Sequence, residues 1–420
     1  MNHNMKDKIL HTPAGVRDIY NKECRRKLKV QETLHHVLEL YCYQDIQTPT
    51  FEFFDIFNRE KGTVASKEMY KFFDRDNNTL VLRPDMTPSI ARCVAKYFKE
   101  EKHPVRLSYV GNTFIKNSSY QGKLKETTQL GAELIGDDTS AADAEILAMV
   151  IDSLLAVGLE EFQVDVGHVD FFKGIFEAAN INEEQEENLK TLIENKNFFG
   201  LEEMASTLEE SELKDSMLQF HALYGGMEVL ETAKTLVKNK KSLKAIERLE
   251  KLKRALDNYG FSQYISFDLS MVSHYDYYTG IIFNGYTYGT GDALVKGGRY
   301  DNLLRQFGKD APSIGYAFVV DEVLLALSRQ KINVPIEVDK TLVLYQPSQQ
   351  KAAIETAKKL RQKEEHVELC RKSSRKELES YLEYCSAQEF NTCLYFEDST
   401  HIRKITIATK EEQLVDVNTL

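Results

Sequence analysis

The sequence predicts an α+β fold: a core built on an antiparallel sheet, interrupted by a helical insertion at about 175–258 and followed by a small C-terminal α/β domain. Three observations predict it. Strand-like runs at 264–269, 280–287, 292–296 and 313–319 follow one another mostly without a crossover helix, as antiparallel strands do. Residues 175–258 are rich in Glu, Lys and Leu and carry almost no strand pattern. From 341 onward strands and helices alternate, the signature of a largely parallel sheet.

The elements follow in order. Thr12-Pro13-Ala14-Gly15 reads as a turn. Leu28, Leu34, Val37, Leu38 and Tyr41 recur at helical spacing and predict one buried helix face. Residues 43–56 are extended, with Pro49 at an element edge. Leu80-Val81-Leu82 is a short strand entering Arg83-Pro84-Asp85, and a helix is expected over 87–99 with Thr87 as its N-cap and Pro88 in its first turn. Segments 105–115 and 126–136 are two strands joined by a polar loop. Ile146, Met149, Val150, Leu154 and Val157 form the stripe of a helix over 141–157 that Gly158 stops. Gly297-Gly298 is predicted as a tight turn before a helix over 301–307, and strand 313–319 leads into helix 321–329. The core thus spans 1–330. Residues 331–339, with Pro335, form a linker to a domain over 340–420: strands 341–346, 366–370, 391–397 and 403–408, and helices 348–364 and 374–388.

At 420 residues, 42% hydrophobic and 28% charged, the chain can bury two or three cores. Its formal charge of -11 argues against a large nucleic-acid footprint, because phosphate contacts favour basic surfaces. Cys24, Cys42, Cys93, Cys370, Cys385 and Cys393 form no CxxC pair and none stands at zinc spacing with a histidine. Reduced thiols are expected, with no metal and no cofactor. The N-terminus has no apolar signal core and no stretch is long enough to span a bilayer, so a cytoplasmic location is expected.

Candidate chemistry concentrates in a few segments. In strand 126–136, period-two alternation puts Gln129, Gly131 and Glu133 on one face and Thr128, Leu130, Ala132 and Leu134 on the other. The polar face reads as a solvated outer face, or as a concave ligand contact at Gly131. Asp85 and Thr87 lie in a strand-to-helix turn, where Thr87 is expected to cap and Asp85 can accept from an ammonium group. The Tyr275-Asp276-Tyr277-Tyr278 run supplies phenols either to a core or to a small-molecule wall. Gly297-Gly298-Arg299-Tyr300-Asp301 lacks the spacing of a phosphate loop. His168 and His274 read as structural.

These pieces together resemble the catalytic core of class II aminoacyl-tRNA synthetases of the histidyl type. Thr12–Asp18 is similar to that family's opening, and Tyr43–Pro49 to class II motif 1, the dimer element. Leu82-Arg-Pro-Asp-Met-Thr87 resembles the loop that holds the histidine ammonium. Gly111–Ile115 through Gln129 and Glu133 resembles motif 2 and the imidazole-reading residues. Segments 271–280 and 297–301 resemble the two histidine motifs, and 313–329 motif 3. The departures from that pattern matter most. Where the family places ATP-handling arginines, this chain has Ile115, Ser273 and Glu322; Asn117 and Val319 replace a glutamate and a glycine. Adenylate formation gathers charge on a phosphate, and fixed cations are worth several kcal/mol there.

An amino-acid pocket beside a lost nucleotide site is the pattern of the regulatory subunits of ATP phosphoribosyltransferase, the family to which the sequence is most similar. The resemblance implies a non-catalytic subunit that a short catalytic phosphoribosyltransferase subunit requires for activity, with histidine as feedback effector. It also implies a homodimer within a hetero-oligomer. Carried over, Asp85 receives the α-ammonium with Thr87 beside it, Gln129 and Glu133 read the ligand, with Glu133 at the imidazole, and Tyr277 and Tyr278 close the pocket. The C-terminal domain resembles an anticodon-binding domain. The alternatives are a divergent histidyl-tRNA synthetase and a synthetase-like RNA- or protein-binding protein; tRNA is not the expected partner.

Overall fold

A computed structural model describes residues 10–58, 64–116, 123–208, 211–272 and 278–417. The chain divides into two compact units, one ending at Pro335 and one beginning at Ile336.

The first unit opens with α1 (Asn21–Leu40), which buries Val30, Leu34, Val37 and Leu38. Leu28, expected on that face, is 58% exposed: at 3.6 residues per turn it stands well round the helix from Val30 and Leu34. Next come β1 (Gln44–Asp45), β2 (Phe51–Phe53), α2 (Asp55–Asn58), β3 (Lys71–Phe73) and β4 (Thr79–Leu82), then α3 (Thr87–Tyr97). The paired strands β5 (Val105–Phe114) and β6 (Glu126–Ile135) lead to α4 (Ser140–Ala156), which Thr139 caps through its side chain and Gly158, at φ +91°, follows.

After β7 (Phe162–His168) the insertion folds as α5 (Asp170–Ala178), α6 (Glu183–Glu194), α7 (Phe198–Ser206), α8 (Glu212–Leu218), β8 (Tyr224–Gly225), α9 (Glu228–Leu236) and α10 (Lys240–Tyr259). Its buried leucines and phenylalanines join one continuous core with α4 and the sheet, so it is an extension of the core and not a satellite. The remaining elements are β9 (Ile265–Asp268), β10 (Ile281–Thr287), β11 (Val295–Arg299), β12 (Ser313–Val319) and α11 (Val320–Arg329). The central sheet runs β1-β5-β6-β12-β11-β10-β7-β9-β8. Only β1 with β5 and β7 with β9 are parallel pairs.

Two expectations change here. Gly297 and Gly298 are inside β11, paired with Phe283 and Ile282 on one side and Tyr316 and Gly315 on the other. They are glycines because of close approach: a Cβ on Gly297 would stand 2.5 Å from the Gly315 carbonyl, and one on Gly298 2.8 Å from that of Ile281. The helix expected over 301–307 is a turn followed by one 3-10 turn, Leu304–Phe307, ended by Gly308 at φ +86°.

The second unit contains β13 (Lys340–Tyr345), α12 (Gln350–Gln362), β14 (His366–Arg371), α13 (Leu378–Ala387), β15 (Thr392–Phe396), β16 (His401–Thr406) and β17 (Glu412–Asp416). Its sheet runs β14-β13-β15-β16-β17. β13 is parallel to both neighbours, whereas β15, β16 and β17 form antiparallel pairs, so the sheet is mixed and not largely parallel. β17 carries little strand signal in the sequence because its edge position leaves mostly exposed residues and little apolar alternation.

Candidate functional site

One face of the central sheet carries the site. The register sets Glu133 of β6 opposite Gly315 of β12, and Gly315 opposite Gly298 of β11. On the same face Gln129 stands opposite Val319, and Lys296 opposite Ala317. Small residues in the middle strands keep this floor low. A cavity of about 840 Å³ stands on it, within the range of small-molecule sites. Its lining includes Asp85, Thr87, Gln129 and Tyr278 from the expected ligand set, and Ile115 and Glu322 from the expected nucleotide set. Tyr277 and Ser273, with His274 and Asn117, lie outside the described residues.

Arg83 builds the loop that presents Asp85. Its guanidinium is 6% exposed and donates to the carbonyls of Asn112 (2.7 Å) and Thr48 (2.9 Å), tying β5 and the segment before β2 to one side chain. Gly111 is small because this guanidinium crosses it. The loop then turns into α3 without the expected cap. Met86 is the N-cap position and makes no side-chain capping bond, while Asp85 Oδ1, one residue earlier, accepts from the Thr87 amide at 3.3 Å in an Asx-type turn. The Thr87 hydroxyl instead donates to Glu133 Oε1 at 2.8 Å.

Glu133 is not on a solvated outer face: it is 1% exposed. It accepts from the Thr87 hydroxyl and from the Tyr300 hydroxyl, and its carboxylate fills the space that a side chain on Gly315 would occupy. Thr87 and Tyr300 reach the cavity wall, and Glu133 lies directly behind them. Burial pushes its carboxyl up to about 8, against the lowering effect of the two hydroxyl donors. The sign of the linkage follows. An acid whose folded pKa is raised holds a proton in the folded state that the unfolded chain releases above the ordinary value of 4.5. Glu133 therefore lowers stability progressively as pH rises from about 4.5 to about 8. Glu133→Gln should flatten the fall in melting temperature across that window; an unchanged slope in thermal melts would contradict the assignment.

Gln129 carries the clearest ligand signal. Its Oε1 is buried, faces no hydrogen-bond partner among the described residues, and belongs to a cavity-lining side chain. A buried acceptor without a donor is costly, and a ligand N–H satisfies it. Gly131 corrects a second expectation. The space above it is filled by the Tyr109 hydroxyl and the Tyr316 carbonyl, so protein and not ligand approaches there. The Tyr278 ring instead covers Gly298, where a Cβ would stand 2.7 Å from it.

The other half of the cavity holds Ile115, Val319, Asp292, Asp321 and Glu322. Asp321 is committed to structure: Lys27 Nζ donates to it at 2.8 Å and the Thr128 amide at 2.9 Å, joining α1, β6 and α11. Burial, with Asp292 and Asp321 adding repulsion, raises the Glu322 carboxyl above its ordinary value. Lys123 and Arg329 stand near it and partly offset that rise.

Arg299 and Tyr300, expected in a tight turn within the segment that resembles the second histidine motif, have roles of their own. Arg299, 3% exposed, donates through Nε to Asp143 of α4 at 3.0 Å and through Nη1 to the Asp137 carbonyl at 3.0 Å. Arg248 of α10 donates to the other Asp143 oxygen at 2.6 Å. Asp301 accepts from the Ser313 amide at 2.9 Å. The pentapeptide 297–301 is thus two floor glycines, a buried clamp, a wall phenol and a turn anchor. In sequence the segment is marked only by its resemblance to the second histidine motif, which does not show these separate contacts.

A family model for histidyl-tRNA synthetase matches residues 15–323. An ATP phosphoribosyltransferase regulatory subunit from Acetivibrio thermocellus is 40% identical over 361 residues, 86% of each chain. One from Ruminiclostridium cellulolyticum is 35% identical over 412 residues, 98% of each. A solved structure described as an ATP phosphoribosyltransferase regulatory subunit/histidyl-tRNA synthetase from Bacillus halodurans superposes with a TM-score of 0.82 at 32% identity, covering 92% of this chain and 98% of that one. The histidyl-tRNA synthetase of Nostoc sp. PCC 7120 shares the fold, at a TM-score of 0.79 and 19% identity over 98% of this chain and 97% of that one. Among the described residues no helix is long and apolar enough to cross a membrane. With a histidyl-type core and relatives of this name along nearly its whole length, the chain belongs to the family of ATP phosphoribosyltransferase regulatory subunits.

Proposed function

We propose that the chain binds free histidine in the cavity, assembles with a short catalytic phosphoribosyltransferase subunit, and conveys histidine inhibition to it without catalysing a reaction itself. The orphaned Gln129 acceptor carries this reading. An α-ammonium group has three N–H donors, and the wall offers three acceptors: the Asp85 carboxylate, Gln129 Oε1 and a lone pair of the Thr87 hydroxyl. Tyr278, with Tyr277 beside it in sequence, closes the pocket over the glycine floor. Glu133 reads the imidazole from behind Thr87 and Tyr300, whose hydroxyls it orients. Ile115 and Glu322 support loss of the synthetase reaction, since neither can hold a phosphate; Ser273 is the third departure.

Feedback then requires histidine to favour one state of the assembly over another. A two-fold dimer through the motif 1 region is consistent with Phe51 and Phe53, both 54% exposed on β2. Calorimetric titration with histidine tests the binding reading, with a saturable one-site isotherm expected. No heat of binding, or histidine-dependent ATP–pyrophosphate exchange, would favour the other readings, a divergent synthetase in the second case.

A further inference from the structure

An amino acid brings a carboxylate as well as an ammonium group, and a carboxylate taken out of water needs a cation or several donors. Among the described residues Arg17, Lys123, Lys125, Lys296 and Arg329 are the cations lining the cavity. Three are occupied. Arg17 pairs with Glu23 at 2.5 Å and Lys123 with Asp292 at 2.9 Å. Arg329 Nη1 donates to the Gly289 carbonyl at 2.6 Å. The Lys125 ammonium has no such partner, but its methylenes lie over Gly15, where a Cβ would come within 2.7 Å of Cγ, so this stem is committed to holding the N-terminal segment.

The Lys296 ammonium also has no ion pair or side-chain hydrogen bond among the described residues, and its stem packs over no loop glycine. It lies on β11 opposite Ala317 and Asn284, two residues before Gly298. Strand alternation puts it on the floor face with Gly298 and Gly315. Toward the Tyr278 ring the next floor positions are these two glycines, so no side chain of β11 or β12 stands between Lys296 and the covered end of the pocket.

We propose that Lys296 receives the carboxylate of the bound amino acid from the sheet floor. The proposal rests on the amino-acid reading above. The test titrates the wild-type chain, Lys296→Met and Lys296→Arg with histidine and with histidinol, in which a hydroxymethyl group replaces the carboxylate. The wild type should prefer histidine by roughly ten- to a hundredfold, the value of a hydrogen bond to a charged group. Lys296→Met should erase that preference by weakening histidine alone, with histidinol binding unchanged as proof of an intact pocket, and Lys296→Arg should restore part of it. If the wild type prefers histidine and Lys296→Met keeps the preference, or if the wild type binds both ligands equally, the Lys296 assignment falls and the pocket stands. If the wild type binds neither ligand, the amino-acid reading falls and takes this assignment with it.

Discussion

Asp85→Asn should weaken histidine binding by about 2–5 kcal/mol, a loss of roughly thirtyfold or more, the usual cost of truncating one partner of a desolvated, hydrogen-bonded charge pair. The substitution isolates charge from structure. An asparagine carbonyl can still accept from the Thr87 amide that Asp85 Oδ1 holds at 3.3 Å, so the turn into α3 is retained. The loop itself is held independently by Arg83, whose guanidinium bonds to the Asn112 and Thr48 carbonyls. The melting temperature should therefore barely move while affinity collapses. A calorimetric affinity within twofold of wild type would remove Asp85 from the ammonium site.

Arg299→Met should instead be a stability variant. Arg299 and Asp143 are 3% and 0% exposed, and removing one partner of a buried pair leaves the other charge uncompensated, at a cost of about 3–5 kcal/mol. Arg248 remains to share Asp143, which sets the expectation toward the lower end of that range. Arg299→Lys should recover little, because one ammonium cannot reach both Asp143 and the Asp137 carbonyl as the guanidinium fork does. Thermal melts should drop by roughly 4–7 °C, because a unit of this size has a large unfolding entropy. Because Tyr300 follows Arg299 and donates to Glu133, the pocket wall should loosen with the clamp, and histidine affinity should fall in proportion to the disorder. A melting temperature within a degree of wild type would mean that the clamp is dispensable.

These two sites differ in how far they could be read from sequence. Asp85, Thr87, Gln129 and Tyr278 were legible as candidates because each sits in a short stretch whose residue types are unusual for its element. The structure brings all four to one cavity. Strand periodicity alone could not tell which face of 126–136 is covered. Glu133 is buried by Gly315 and Tyr300, both more than 160 residues away, and nothing local encodes that. The same holds for Arg299 and Asp143, separated by 156 positions. Gly297-Gly298 misled for a physical reason: a glycine pair is compatible both with a turn and with two backbones in close approach, and only the partner strands decide. Thr87 misled because a hydroxyl at a helix start normally caps, whereas here a buried carboxylate competes for it. The sheet core itself was legible, since antiparallel strands in series carry their own spacing and turn residues. The mixed character of the second sheet was not, because its antiparallel half ends in an exposed edge strand.

The central claim is that this chain is a histidine-responsive subunit of a phosphoribosyltransferase and not a synthetase. Reconstitution tests it most directly. The chain is mixed with the short catalytic subunit of the same organism, ATP and phosphoribosyl pyrophosphate, and phosphoribosyl-ATP is followed with and without histidine. The account predicts that the chain raises activity, that histidine suppresses it, and that Asp85→Asn keeps the activation while losing the suppression. A complex whose activity ignores histidine would contradict the feedback claim, and the absence of any complex would contradict the regulatory reading as a whole.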